Sequence, residues 1–210
     1  MKIFAMSDIH GNIEEFEKNL DLINLDDEET KLILLGDYLN RFNYEDVRII
    51  KLIIDLQKKY KDRVIALMGN HELYLLEDFK NKKININSDI INWTKKLPYY
   101  YETDTQIYVH AGIDEDAGEY WMFGVEDYNF CNKYPHTTGE FYKDIIAGHI
   151  SVLEIAAKEN SYIEKGDIYY DGKNHYYIDG ETENTGIIPI LFYDSEIKKY
   201  EKISINRDDR

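Results

Sequence analysis

The chain has 210 residues, of which 43% are hydrophobic, and its 41 Asp and Glu outnumber its 25 Lys and Arg to give a formal charge of −16. This length and apolar content suit a globular domain and exclude a disordered acidic tail. A field so acidic, with no basic stripe, argues against binding to nucleic acid or anionic membranes. The single cysteine, Cys131, and the lack of a signal-like or membrane-spanning apolar run predict a cytoplasmic protein.

The first two-thirds of the chain alternate short apolar runs with amphipathic stretches. Apolar runs at 3–6, 32–35 and 64–68 predict buried strands. Between them, apolar residues spaced by three and four predict two helices, one that begins after an N-cap at Asn12 and one over 47–60. This βαβαβ order indicates a parallel sheet that is covered on both faces.

The later part of the chain is richer in strands. The predicted strands lie at 106–110, 144–149, 176–179, 189–193 and 199–205, and we expect hairpin-like connections between them. The segment from Gly112 to Glu140 is loop-like, aromatic and acidic, and is either a substrate-contacting loop or a packed surface insertion. No repeat or linker divides the chain, so we expect a single domain over residues 1–210.

A short polar cluster follows each of five apolar runs. The clusters are Asp8-Ile9-His10-Gly11, Gly36-Asp37, Gly69-Asn70-His71-Glu72, His110-Ala111-Gly112 and Gly148-His149. Because ligand sites of open α/β sheets lie at the carboxyl ends of the strands, these side chains should meet at one edge. Carboxylates and imidazoles without thiols suit Mn, Fe or Zn, and one carboxylate can bridge two ions about 3.5–4 Å apart. The set predicts metal-assisted phosphoester hydrolysis, whereas His136 and His175 lack this context and are expected at the surface.

The motifs D-I-H-G, G-D-Y-L-N-R, G-N-H-E, H-A-G and G-H, in this order, resemble those of the calcineurin-like metallophosphoesterases. Within that family they look most like the bacterial and phage branch of the serine/threonine protein phosphatases, which also includes symmetrical dinucleoside tetraphosphatases. The match runs from Asp8 to His149. The resemblance implies a four-layer α/β/β/α sandwich of the metallo-dependent phosphatase type, with a dinuclear metal centre.

The resemblance also implies a role for each matching residue. Asp8 and His10 would bind the first of two divalent ions, expected to be Mn²⁺ with Fe or Zn as alternatives, and Asp37 would bridge both ions. The remaining metal ligands would be Asn70, His110 and His149. A hydroxide held between the ions would attack phosphorus, His71 would protonate the leaving group as general acid, and Arg41 would grip the phosphoryl oxygens.

Four positions depart from the family pattern. Asn40 stands where an Asp usually pairs with the catalytic histidine. Its amide can still hold His71 but cannot stabilise an imidazolium by charge, so we expect slower turnover of substrates with poor leaving groups. Phe42 replaces a Gly and predicts a more apolar rim. Met68 replaces a second phosphate-binding Arg and Ile150 replaces a common Thr, and the missing arginine predicts a weaker grip on phosphate.

These features favour a metal-dependent phosphomonoesterase that acts on phosphoserine or phosphothreonine in a protein, or on a small phosphorylated molecule. An acidic rim also favours a single phosphate on a neutral or basic carrier over a long polyanion. The alternative enzyme is a symmetrical dinucleoside tetraphosphate hydrolase, which needs more cations than Arg41 alone.

Lysines that line a neighbouring groove would supply the additional cations for a tetraphosphate. The simpler interpretation is that these lysines form a solvent-exposed face. These lysines are Lys80, Lys82, Lys83, Lys95 and Lys96. An alternative of another class is a metal-bound interaction module whose catalysis is impaired by the changes at Asn40 and Phe42.

Overall fold

The computed structural model describes residues 1–41, 43–44, 46–123 and 126–203, and within these ranges two five-stranded sheets are flanked by helices. The strands are β1 (Lys2–Met6), β2 (Thr30–Leu34), β3 (Val64–Ala66), β4 (Tyr100–Glu102), β5 (Gln106–Val109), β6 (Asp144–Ser151), β7 (Tyr169–Tyr170), β8 (His175–Asp179), β9 (Ile190–Asp194) and β10 (Lys199–Ile203). The helices are α1 (Ile13–Asp21), α2 (Arg48–Tyr60), α3 (Asn70–Lys80), α4 (Ser88–Thr94), α5 (Asp127–Asn132), α6 (Val152–Lys158) and α7 (Thr182–Thr185). No helix in these ranges is both long and apolar enough to span a bilayer.

The first sheet has the strand order β10-β9-β1-β2-β3. Strands β1, β2 and β3 are parallel, as the alternating pattern predicts, and β9 and β10 add an antiparallel edge. Helix α1 begins after Asn12, whose side-chain oxygen accepts a hydrogen bond of 3.2 Å from the backbone N–H of Glu15. The predicted N-cap is confirmed.

The second sheet has the order β4-β5-β6-β8-β7. Strands β5, β6 and β8 run parallel, so the expectation of hairpins was wrong for these three strands. It is confirmed for β9 and β10, which pair antiparallel across the short connection 195–198. The physical reason is connection length: residues 110–143 separate β5 from β6, and 152–174 separate β6 from β8, long enough for crossovers. Antiparallel pairing occurs between β4 and β5, β7 and β8, and β9 and β10.

Side chains of both sheets alternate between two buried faces, as the pleat of a strand requires. Ile3 of β1 and Tyr108 of β5 belong to one cluster, which lies between the sheets. Phe4 of β1 packs on the other face with α1 and α2. Val109 of β5 packs in a third cluster with α5 and α6. Three cores separate four layers, which confirms the predicted α/β/β/α sandwich and leaves the strand ends free to form a site.

We predict that Ile146→Ala lowers the free energy of unfolding by about 2–5 kcal/mol, because Ile146 of β6 is fully buried between the sheets and truncation leaves a cavity. The matched control is Ile197→Ala, because Ile197 is 66% exposed in the turn before β10 and its loss should cost at most about 0.5 kcal/mol. Urea unfolding of both variants measures the difference. Equal losses would contradict the placement of Ile146 in a core shared by two sheets.

Candidate metal centre

The Asp37 carboxylate lies at the centre of the polar residues that the sequence selects. It is buried and follows β2, at the edge of the sheet where the carboxyl ends of the parallel strands meet. Its oxygens lie 3.4 Å from Nε2 of His110, 3.7 Å from Nε2 of His71 and 4.0 Å from Nε2 of His10. Four segments that follow strands therefore meet at one carboxylate, as the strand-end pattern predicts.

Asp8 and Asn70 connect the remaining predicted ligands to this group. One oxygen of Asp8 lies 3.6 Å from Nε2 of His10, and the other accepts a hydrogen bond of 3.0 Å from the backbone N–H of His149. The amide oxygen of Asn70 lies 2.8 Å from Nε2 of His110 and 3.2 Å from Nδ1 of His149. All six predicted metal ligands are therefore brought together at one edge.

The hydrogen bond of His110 leaves the lone pair of its Nε2 available to bind a cation. Its Nδ1 lies 3.0 Å from the carbonyl oxygen of Leu35, and because a carbonyl only accepts, this nitrogen carries the proton. In the neutral ring Nε2 is then an acceptor, and it faces the oxygens of Asn70 and Asp37. A cation between these acceptors would stabilise them. Without a cation, the side-chain amide of Asn70 must turn over so that its nitrogen donates to the neighbouring acceptors. The donor set fits a divalent ion of the Mn, Fe or Zn type.

The buried carboxylates also alter the protonation of their neighbours. Burial opposes ionisation of Asp8, but its hydrogen bonds to His10 and Ser7 hold the pKa of that carboxyl well below its usual value. Burial lowers the pKa of His10, yet Asp8 and Asp37 outweigh it and raise this pKa to about 9. Burial lowers the pKa of His149 to about 4. His149 is therefore neutral, whereas His10 carries a proton that a bound metal ion would displace.

Four of the predicted ligands have unusual backbone geometry. Asp8, His10, Asp37 and His149 have φ angles of 53°, 47°, 56° and 66°, in the left-handed region that residues other than glycine rarely adopt. Gly148 allows the backbone to approach closely, since a Cβ there would lie 2.2 Å from a carboxylate oxygen of Asp8. Strain of this kind persists only where surrounding structure enforces it, and it marks functional sites.

Glu72 supports the centre, although the sequence interpretation assigned it no role. It is buried, and one carboxylate oxygen accepts hydrogen bonds from the backbone N–H groups of Asp37 (2.8 Å) and Gly69 (3.1 Å). Its other oxygen accepts from the N–H of Tyr38 at 3.0 Å. Burial and the charge of Asp37 raise the pKa of Glu72 to about 7. Glu72 ties the segments after β2 and β3 together, and its position in the G-N-H-E motif was the available signal.

Asp179 is a second residue that sequence reasoning missed. It is buried at the carboxyl end of β8 and accepts a hydrogen bond of 2.9 Å from the backbone N–H of Glu181. Burial, followed by the negative charge of Asp8, raises the pKa of Asp179 well above its usual value. The rule that selected the other clusters would have found it, because Asp179 and Gly180 follow an apolar strand.

His71 lies beside Asp37, but its partner differs from the predicted one. Its Nδ1 lies 3.0 Å from the carbonyl oxygen of Leu39 and donates to it, which leaves Nε2 toward the metal ligands. Asn40, the expected partner, donates from its amide nitrogen to Oε1 of Glu183 at 2.5 Å. A neutral backbone carbonyl therefore holds the His71 ring where the sequence interpretation expected the Asn40 amide.

Arg41 is connected to His71 through an aromatic ring. Its guanidinium lies 4.2 Å from the ring centroid of Tyr74, within range of a cation–π interaction. The rings of Tyr74 and His71 lie 6.0 Å apart. Tyr74 therefore contacts both His71 and Arg41, the residue for which the family resemblance implies a phosphate-binding role.

The other departures lie in different surroundings. Met68 and Ile150 are buried in the hydrophobic clusters on the outer faces of the two sheets, and Phe42 lies outside the described residues. Trp121 and Phe130 are buried in the second of these clusters, so this part of the 112–140 segment is a packed insertion. It also borders a cavity of about 380 Å³.

The expectation that His136 and His175 lie at the surface was wrong. His175 is only 1% exposed, and its Nδ1 and Nε2 lie 3.1 Å from Asp171 and 3.5 Å from Glu115. The His136 side chain is mostly covered and lies 2.9 Å from a carboxylate oxygen of Glu159. Glu115 and Glu159 come from distant parts of the chain, which local sequence context does not show, whereas Asp171 lies only four residues before His175.

Comparison with known proteins identifies related chains. A model of the calcineurin-like phosphoesterase family matches residues 1–193. The chain is 32% identical over 129 residues to a symmetrical bis(5'-nucleosyl)-tetraphosphatase of Wigglesworthia glossinidia brevipalpis, covering 54% of this chain and 45% of that protein. It is 26% identical over 126 residues to the enzyme of the same name in Nitrosospira multiformis, covering 54% and 44%.

These alignments span less than half the length of the curated relatives. A solved structure of a protein described as a diadenosine tetraphosphatase superposes with a TM-score of 0.67 at 14% identity, covering 96% of this chain and 92% of that one. The superposition supports the fold.

We predict that Glu72→Gln weakens binding of Mn²⁺ by about 10–100-fold, because the new amide group cannot accept all three backbone N–H bonds that orient the Asp37 segment. The matched control is Glu77→Gln, an exposed position on the same helix. Calorimetric titration of Mn²⁺ into each folded variant measures the effect. Affinities that match the unsubstituted protein in both variants would contradict the supporting role.

Proposed function

Because the chain belongs to the calcineurin-like phosphoesterase family, we propose that this metal-dependent hydrolase cleaves a dinucleoside tetraphosphate symmetrically, into two nucleoside diphosphates. The observation that carries the hydrolase function is the convergence of carboxylate, amide and imidazole ligands on Asp37. The two tetraphosphatases similar in sequence support the choice of substrate.

In this proposal the site holds two divalent ions, with Mn²⁺ as the expected metal and Fe or Zn as alternatives. Asp8, His10 and Asp37 would hold one ion. Asp37 would share the second with Asn70, His110 and His149. When bound, such ions supply the positive charge that activates water and stabilises charge on phosphorus.

His71 and Arg41 contribute chemistry of their own to the proposed reaction. Arg41, steadied by the ring of Tyr74, presents a planar fork that matches two phosphoryl oxygens. His71 donates from Nδ1 to Leu39, so its other nitrogen is directed toward the reacting group and can pass a proton to the leaving oxygen.

The partner of His71 favours a substrate whose leaving group needs little protonation. The Leu39 carbonyl fixes the ring but carries no charge to stabilise an imidazolium, as a carboxylate would. A serine or threonine ester releases an alkoxide, which requires an acid. A phosphoanhydride releases a terminal phosphate, whose second pKa is about 6, so this group departs with little protonation at neutral pH. This asymmetry supports a polyphosphate substrate over a phosphoprotein.

Phosphomonoester hydrolysis, on a protein or a small molecule, is the second candidate. The formal charge of −16 favours it, because an acidic surface repels a long polyanion. A catalytically impaired interaction module is the third. The cytoplasmic location and the single domain over residues 1–210 remain predictions.

The experiment that separates these candidates compares diadenosine tetraphosphate, a phosphoserine peptide and p-nitrophenyl phosphate as substrates of the Mn²⁺-loaded protein. We predict that kcat/KM for the tetraphosphate exceeds that for the peptide by at least about 100-fold, equivalent to about 2.7 kcal/mol of transition-state stabilisation. ADP should be the only nucleotide product, and a chelator should abolish turnover. Turnover of esters without turnover of the tetraphosphate would favour the second candidate. No turnover with Mn, Fe or Zn would favour the interaction module.

We predict that His71→Asn slows hydrolysis of phenyl phosphate by about 10²–10⁴-fold but slows that of p-nitrophenyl phosphate much less, because nitrophenolate departs without a proton. His136→Asn is the control, since His136 bonds to Glu159 rather than to a residue of the metal centre. Steady-state kinetics on the two esters measure the ratio. An equal loss on both esters would show that His71 does not act as the general acid.

A further inference from the structure

A second cavity opens beside Arg41 and has a volume of about 790 Å³, within the roughly 300–1,000 Å³ typical of small-molecule sites. Its polar lining comes from the segment after β2 and from α3 with the loop that follows it. These polar residues are Arg41, Asn43, Tyr44, Asp78, Lys83 and Asn85. The size and the lining together suit a nucleotide better than an inorganic ion.

A series of side-chain contacts links the cavity to the metal centre. Arg41 lies in its wall, and the same guanidinium lies over the ring of Tyr74. That ring neighbours His71, whose Nε2 lies 3.7 Å from a carboxylate oxygen of Asp37. Arg41, in the wall of the cavity, is therefore separated from His71 by one aromatic ring.

Two positively charged side chains line the cavity in an otherwise acidic chain. Lys83 lines it together with Arg41, and its ammonium lies 2.8 Å from a carboxylate oxygen of Asp78. Asp78 raises the pKa of the Lys83 ammonium, and the nearby charge of Arg41 opposes that rise. Two cations that share a cavity repel each other, and a phosphate chain between them would remove the repulsion. Lys80 and Lys95, by contrast, line a separate cavity.

Tyr44 provides independent evidence for a binding site at this cavity. It lines the same cavity and is only 9% exposed, yet within the part of the chain that the structure describes its hydroxyl has no hydrogen-bond partner. Buried polar groups are rarely left unpaired, and such exceptions often mark a ligand or a functional role. Burial raises the pKa of Tyr44 to about 12, so the hydroxyl remains a donor at neutral pH.

We propose that this cavity is the subsite for the leaving half of the substrate, a nucleoside diphosphate. Arg41 and Lys83 bind its phosphate oxygens, and the Tyr44 hydroxyl and the amides of Asn43 and Asn85 bind its sugar and base. The identity of this occupant rests on the proposed function. The cavity supplies the cationic contacts that the strand-end motifs lack, which answers the objection that Arg41 is alone.

The test uses ADP and inorganic phosphate as inhibitors of p-nitrophenyl phosphate hydrolysis. Lys83→Gln should weaken inhibition by ADP about tenfold, equivalent to 1.4 kcal/mol. It should leave inhibition by inorganic phosphate unchanged, because phosphate alone occupies the metal centre. Lys82→Gln is the matched control: it removes the same charge one residue away, at an exposed position outside the lining. Asp78→Asn should strengthen inhibition by ADP, since it releases Lys83 from its ion pair.

Tyr44→Phe tests the subsite without a change of charge, and it should fold normally because the hydroxyl has no partner to lose. It should also weaken ADP inhibition while leaving phosphate inhibition unchanged. Calorimetric binding of ADP gives the same comparisons without turnover. Equal ADP affinities in Lys83→Gln and Lys82→Gln, or a parallel loss of phosphate affinity, would overturn the subsite.

The outcomes for the subsite and the proposed function are distinguishable. If Lys83→Gln weakens ADP binding while diadenosine tetraphosphate is not hydrolysed, the subsite stands and the proposed function fails. If the tetraphosphate is hydrolysed and Lys83→Gln has no effect on ADP, the proposed function stands and the subsite fails.

Discussion

The Asp37 carboxylate is buried among three imidazole nitrogens at distances between 3.4 and 4.0 Å, and the remaining site residues are arranged around that contact. A buried carboxylate needs positive charge or hydrogen-bond donors. Here Asp37 accepts a hydrogen bond of 2.9 Å from the backbone N–H of His71, and ring nitrogens from segments that follow different strands lie close to it. The two sheets must therefore stack in one register for the site to exist, because His110 belongs to the second sheet and Asp37 to the first.

Structural support for this contact comes from residues that do not ligate a metal. Glu72 binds the backbone of the segments after β2 and β3, and Gly148 lets the backbone after β6 approach Asp8. The left-handed φ angles at Asp37 and His149 are held in place by these contacts. The fold thus stores local strain at the site and offsets it with hydrogen bonds and burial elsewhere.

Much of this centre could be predicted from sequence because its signals are local. Asp8, Asp37 and His110 each follow an apolar run, and the sheet edge brings them together whatever the connecting segments do. The same rule applied to β8 would have found Asp179. The α/β/β/α layers, by contrast, are implied by the family resemblance, whereas the residue pattern alone predicts a parallel sheet that is covered on both faces.

The remaining features depend on contacts between distant segments. Asn40 donates a hydrogen bond to Glu183, which is 143 residues away. The family pattern, in which an aspartate usually stands at this position, does not reveal that contact. His175 is buried and lies 3.5 Å from Glu115, a residue of the packed insertion. In the sequence, Lys83 is one of several lysines that are interpreted as a solvent-exposed face. Only the fold shows that it shares a cavity with Arg41.

The central claim is that the described ligands form a dinuclear metal site bridged by Asp37. Anomalous diffraction at the manganese edge, from crystals of the protein grown with Mn²⁺, tests it most directly. The account predicts two peaks on either side of the Asp37 carboxylate, one next to His10 and the other next to His110. Peaks absent from this position, or a single ion bound without Asp37, would contradict it.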